Sequence, residues 1–298
     1  MASVTLAACA TNPAVRRATM IADADKAAKA ALANENRLDP SKIPARTFAV
    51  LPFTVAQRDT LIQPLGFGLA DLLTSDLSRS PELRLVERLH TSAILRELDL
   101  VDAGVADPRQ APRVGRLVGA RRLLLGTASL SGNDVVRLDA RVVDAIAGTV
   151  QDVVSAEAPV GRVIEAEKEL ALLLFERLGI TLTPAERARV EQRQTTQLAA
   201  LVAYGRGIQA EARGDALGAT SAFEEASRLD AAFAAARSQA TASAAPSASQ
   251  RAASVARVVD LTTQAVNAPV ATRLPEAVDA PLAPSSLLSL VFTIRVTP

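Results

Sequence analysis

Between Asp134 and Ala156 the chain alternates apolar and polar residues, turns, and alternates back. Val136, Leu138, Ala140 and Val142 share one face of the first limb; Asp144-Ala-Ile-Ala-Gly148 supplies turn residues, and Thr149–Ala156 forms the return limb. Successive side chains on a strand point to opposite faces, so this pattern reads as a β-hairpin with one buried face. A helix would scatter the same residues around its circumference. The chain must therefore build a sheet at this point and supply something apolar to cover it.

The cover is written on both sides of the hairpin. Upstream, Arg46–Phe53 is a β-forming apolar run ended by proline, as expected of a buried strand. Leu69, Leu72, Leu73 and Leu77 then follow helical spacing after Leu65-Gly66-Phe67-Gly68. Leu83–Glu87 reads as a short strand, Thr91–Leu100 and Pro108–Val118 as helices, and Arg121–Leu130 as a second buried strand. Downstream, Val163, Ala166, Leu170, Leu174 and Leu178 form the stripe of a closing helix that ends at Gly179. The order β-α-β-α-α-β-β-β-α predicts a mixed α/β domain over 43–182, with helices packed on a sheet.

With 298 residues the chain has room for one or two domains. Apolar residues make up 49% and aromatic residues 3%, without tryptophan, so the core must be built from Ala, Val and Leu. A net charge of +1, with no run of five like charges, gives no grip for nucleic acid. One cysteine (Cys9) and one histidine (His90) exclude an internal disulfide framework and a Cys/His zinc cluster.

Residues 1–9 look like the end of a secretory signal, and Leu6-Ala7-Ala8-Cys9 resembles the lipobox of bacterial lipoproteins, in which the cysteine is acylated. The charged n-region and about half of the usual apolar segment are missing. Either the start lies upstream or the match is chance; we read Cys9 as the lipidation site. No window of about 18 apolar residues predicts a spanning helix. Residues 10–42, helical over Val15–Leu38, read as a tether or a packing helix. Past the α/β domain, Thr183-Pro184-Ala185-Glu186 is a capping box that opens an exposed connector helix. Residues 197–236 read as two helices broken at Gly214-Asp215, which completes a 183–240 segment. The remaining 241–298 are an Ala/Ser/Thr/Pro linker ended by an alternating strand over Leu288–Val296.

Phe48-Ala-Val-Leu-Pro-Phe53, Gly66-Phe-Gly-Leu-Ala-Asp-Leu-Leu73, Leu83-Arg-Leu-Val-Glu-Arg88, Leu117-Val-Gly-Ala-Arg121 with Leu124-Leu-Gly126, and Arg137-Leu-Asp-Ala-Arg-Val-Val-Asp144 with Gly148 occur in that order. Together they resemble the CsgG-type and FlgO-type domain of envelope lipoproteins, itself similar to the N-terminal domain of TolB, over about 140 residues. The resemblance implies a periplasmic domain that binds other proteins or assembles into rings. Residues 200–233 resemble one tetratricopeptide repeat, with Gly207, Ala219, Phe223 and Ala226 at its small and aromatic positions. Ala203, Ala210 and Ala231 depart from that pattern. A lone repeat cannot bury both faces, so it must lean on the α/β domain, the terminal strand or another chain.

Candidate chemistry is sparse. His90 lacks an identifiable Ser, Cys or carboxylate partner, and Gly66-Phe67-Gly68 lacks the third glycine of a dinucleotide loop. Asp71 and Asp76 are five apart and point away from each other, while Asp139, Asp144 and Asp152 surround a turn. Structural roles are expected for all of these, with no enzyme activity, cofactor or metal. The expected function is a periplasmic, outer-membrane lipid-anchored interaction scaffold in envelope assembly or secretion. Its Gly214–Phe233 helix pair would be one docking surface, and its partners would be other envelope proteins or copies of itself. The alternative is a pore-forming secretion-channel subunit.

Overall fold

A computed structural model describes residues 12–56, 62–101, 110–131 and 134–244. Cys9, the linker from 245 onward and the terminal strand expected over Leu288–Val296 lie outside the described residues. The first helix, α1 (Pro13–Ala33), starts where Pro13 follows Asn12, whose side chain accepts from the Ala14 amide. Strand β1 (Thr47–Val50) follows, then β2 (Thr54–Val55) and α2 (Leu65–Leu77). The single strand expected over Arg46–Phe53 is thus broken. Pro52 has no N–H to give a ladder, and the Phe53 amide donates to the Gly66 carbonyl at the head of α2.

The chain continues through β3 (Arg84–Leu85), α3 (Arg88–Glu97), α4 (Ala111–Val118), β4 (Arg122–Ser131), β5 (Val135–Asp144) and β6 (Val150–Pro159). The sheet runs β3-β1-β4-β5-β6, with β2 also on β4. Strands β1, β2 and β3 join by parallel pairing, and the β4–β5–β6 meander is antiparallel, with Ala140 opposite Gly126 and Val154. Val136, Leu138, Ala140 and Val142 are all buried, as the alternation predicts. Helix α5 (Val163–Arg177) covers them and packs beside α2, and Gly179, at φ +68°, turns the chain away. The crossovers β1–α2–β3 and β3–α3–α4–β4 run in opposite senses along the sheet. Right-handed connections then put α2 on one face and α3 and α4 on the other. Helix α1 packs on α3 and α4, so of the two readings of this segment, tether or packing helix, its described part takes the second.

The capping box forms as expected: Thr183 Oγ1 accepts from the Glu186 amide and the Glu186 carboxylate accepts from the Thr183 amide, opening α6 (Pro184–Glu191). Helices α7 (Leu198–Arg213) and α8 (Ala216–Leu229) are separated by Gly214 at φ +84°. A further helix, α9 (Ala234–Ser243), extends into the expected linker. Among the described residues the fold is therefore mixed α/β, with nine α-helices and six strands and a helical segment after the sheet. All described residues belong to one compact unit.

Candidate functional site

The chain leaves β1 toward one face and β3 toward the other, so a crevice opens at the carboxyl ends of these two strands. Open α/β sheets hold ligands at such switch points. In this chain four helices send side chains into it. Arg88, the first residue of α3, has Nε 2.9 Å from Asp71 Oδ1 on α2 and Nη1 2.8 Å from Glu211 Oε2 on α7. Asp71 also accepts from the Tyr204 hydroxyl at 2.7 Å. Arg17 of α1 grips Glu211 with both prongs of its guanidinium, at 2.8 and 2.7 Å, the geometry that makes arginine–carboxylate pairs strong.

Burial alone would raise the Glu211 carboxyl, but Arg88 and Arg17 outweigh it and hold the group below its ordinary value. Burial, then the negative charge of Asp71, pushes the Tyr204 hydroxyl well above its own, so it stays a donor. The space left beside this network, lined by Val50, Pro52, Asp71, Arg88, Thr91 and Ile208 among others, is about 20 Å³, room for a single water.

Helix α7 seals the crevice because its backbone comes unusually close to α2. A Cβ on Gly205 would lie 1.9 Å from the Pro64 carbonyl oxygen, and one on Gly68 would lie 3.0 Å from the Leu201 carbonyl oxygen. Glycine is the residue that allows such an approach. Tyr204 then stacks tilted against Phe223 and Phe233, at centroid distances of 5.5 and 4.8 Å. The helix pair is no detached arm: α7 packs on α2 of the α/β domain and α8 packs on α7. Of the options open to the lone helix pair, the α/β domain is the support.

A second buried cluster ties α2 to α5. Lys168 Nζ lies 2.5 Å from Asp76 Oδ2 and 3.3 Å from Glu167 Oε2. Burial raises the Asp76 carboxyl despite Lys168. Burial, reinforced by Asp76, pushes Glu167 from 4.5 up to about 8. Between those two values the fold keeps a proton that the unfolded chain has released, so this group's contribution to stability falls as pH rises and is gone above about 8. Glu167→Gln keeps the shape and removes the titration. It is expected to flatten the loss of stability between about pH 5 and 8 and to stabilise the fold above that range by roughly 1–5 kcal/mol. Denaturant unfolding of both proteins across that range measures the difference.

The residues singled out in the sequence fall as follows. Asp71 and Asp76 do point apart, each into one of these two ion-paired clusters. Asp144 caps its own turn, accepting from the Ile146 and Ala147 amides, and Asp139 binds Arg137 and Ser155 on the sheet face. His90 is half-buried, and burial lowers its pKa. Ala219, Phe223 and Ala226 are buried between α7 and α8, and the Phe223 ring lies against Gly207. These four shape the helix pair, and a partner would have to touch other residues. Arg17, Arg88, Glu167, Lys168 and Glu211 went unmarked in the sequence. Glu167 sits on the apolar stripe one turn from Val163 and Leu170, and Glu211 lies two turns from Tyr204, so both were visible as charges on a buried face. Among the described residues no group of three or more His, Cys, Asp or Glu side chains could hold a metal ion, and no helix is long and apolar enough to cross a membrane.

Fold and site define an α/β domain with parallel crossovers at one edge, an antiparallel meander at the other, and a trailing helix over the switch point. Residues 46–130, from the start of β1 almost to the end of β4, match the family described as curli production assembly/transport component CsgG. The match covers under a third of the chain. No curated protein matches the chain. Among solved structures, the LpoB C-terminal domain from Escherichia coli is similar at 17% identity and a TM-score of 0.32, over 40% of this chain and 91% of that one. The LpoB C-terminal domain from Salmonella enterica is similar at 16% identity and 0.32, over 46% and 98%. Lipoprotein GNA1162 from Neisseria meningitidis is similar at 17% identity and 0.33, over 47% and 100%.

Proposed function

We propose that this chain is a non-catalytic, lipid-anchored scaffold of the bacterial envelope that serves outer-membrane assembly or secretion through protein contacts. The match of residues 46–130 to a curli assembly and transport component is the observation that carries the envelope setting. The non-catalytic reading is supported by the switch point. The place where such sheets usually hold a substrate is filled by the chain's own Arg88, Tyr204 and Glu211 and leaves about 20 Å³.

Partner contacts then fall to the outer surface. On α8, the second helix of the α7–α8 pair, Leu217 is 80% exposed, a large apolar side chain without cover from the described residues. Pull-down from solubilised envelope with Leu217→Asp tests the docking face. The variant should melt like the wild type, since Leu217 is not in the core, and lose the captured partner. Unchanged capture would remove α8 from the proposal. The anchor is tested separately: palmitate label should enter the protein expressed with its native upstream region and vanish in Cys9→Ser. Label that persists in that variant overturns lipidation at Cys9.

A further inference from the structure

A groove of about 260 Å³ lies between the end of α2, the α6–α7 link and the start of α9, lined by Ser75, Arg79, Arg189, Gln192, Arg193 and Gln194 together with Ala234 and Ala235. We infer that this groove binds a phosphate monoester or inorganic phosphate. Three guanidinium groups from two separate segments converge on it. Arg193 is already held by Glu165, at 3.2 Å. Arg79, in the turn after α2, and Arg189, on α6, form no ion pair among the described residues, although both helices carry acids. Those acids have closer partners, Asp76 in Lys168, Glu186 in the Thr183 cap and Glu191 in Arg187, though Asp76 and Glu186 still feel the charges of Arg79 and Arg189. Asp230, near the α8–α9 turn, is engaged by the Thr195 hydroxyl and the Ala232 amide.

Two arginines of the groove are therefore without an ion-pair partner at contact distance among the described residues, and a phosphate monoester near neutral pH carries between one and two negative charges. A carboxylate would match only one of the two arginines. Arginine forks match phosphate oxygens in pairs, and Ser75, Gln192 and Gln194 add neutral donors along the wall. The first turn of α9 completes the lining. Its N-cap, Phe233, has no side-chain acceptor, so the amide groups at that end are left for an anion. None of this belongs to the switch-point network, and nothing in the proposed scaffold role requires it.

The test uses the full chain, titrated with inorganic phosphate and, separately, mixed with phosphatidylcholine vesicles with and without phosphatidic acid. The double variant Arg79→Gln/Arg189→Gln should weaken phosphate-group binding about tenfold or more, while Arg206→Gln, whose arginine pairs with Glu225 elsewhere on the surface, should leave it unchanged. Both groove arginines are exposed, and melting curves of the variants check that the fold survives. Binding of free phosphate alone upholds the site as one for a soluble ligand, and binding of phosphatidic acid vesicles alone upholds it as one for a lipid headgroup. Wild type that binds neither, or a double variant that binds as well as wild type, overturns the inference.

Discussion

Replacing Arg88 with Met should cost about 3–5 kcal/mol of folding stability, because it leaves carboxylates in the crevice without their shared cation. Methionine nearly matches the arginine stem, so the loss is electrostatic rather than a cavity. The cost is bounded by the partners that remain: Arg17 still grips Glu211 and the Tyr204 hydroxyl still serves Asp71. A second variant separates this account from simple loss of packing. Arg88→Met/Asp71→Asn removes one of the stranded charges, so it should be less destabilised than the sum of the two single changes, by about 0.5–3 kcal/mol. Denaturant unfolding of the four proteins closes the cycle. Strict additivity would mean that Arg88 and Asp71 do not act on each other.

The cycle also bears on why the crevice was illegible in the sequence. Its elements were legible. The alternation from Val136 to Val142 fixed the hairpin, the Thr183–Glu186 box fixed the start of α6, and the leucine stripe from Leu69 to Leu77 fixed the buried face of α2. Each of these patterns is local, and its physics is settled within a few residues. The contacts of the crevice span 17 residues from Asp71 to Arg88 and well over a hundred from Arg88 to Glu211. Arg88 stands at a helix start, where a charge is ordinary, and nothing in its neighbours marks it as desolvated.

The strand break at Pro52 and the placement of α7 failed to show for a related reason. A proline at the end of an apolar run reads equally well as a strand end or as an interruption. The structure decides for the interruption, because the Phe53 amide has a partner in Gly66 and β2 resumes pairing on β4. For α7 the signal was present but ambiguous. Gly207 stands at a small position of the repeat pattern, and a helix pressed against α2 on one side and Phe223 on the other calls for Gly205 as well. That arrangement uses both glycines, with Gly205 toward Pro64 and Gly207 toward the Phe223 ring.

Phe223→Ala tests that arrangement most directly. The ring is fully buried, tilted against Tyr204 and seated on Gly207, so truncation should open a cavity costing about 3–5 kcal/mol. Read from the sequence, the damage would stay in 197–236 and leave 43–182 folded. The structure sets a different expectation. Tyr204 is packed by Phe223 on one side and donates to Asp71 on the other, and the helix that carries it also brings Glu211 to Arg88. A loosened Tyr204 therefore weakens the crevice network, and the stability of α7 and of the sheet should fall together. The expected result is one cooperative transition, shifted to lower denaturant, with both regions becoming protease-sensitive at the same point. A stable fragment covering 43–182 after limited proteolysis of the variant would instead show that α7 and α8 can leave without disturbing the α/β domain, and that the contact between Tyr204 and Asp71 contributes little to holding them together.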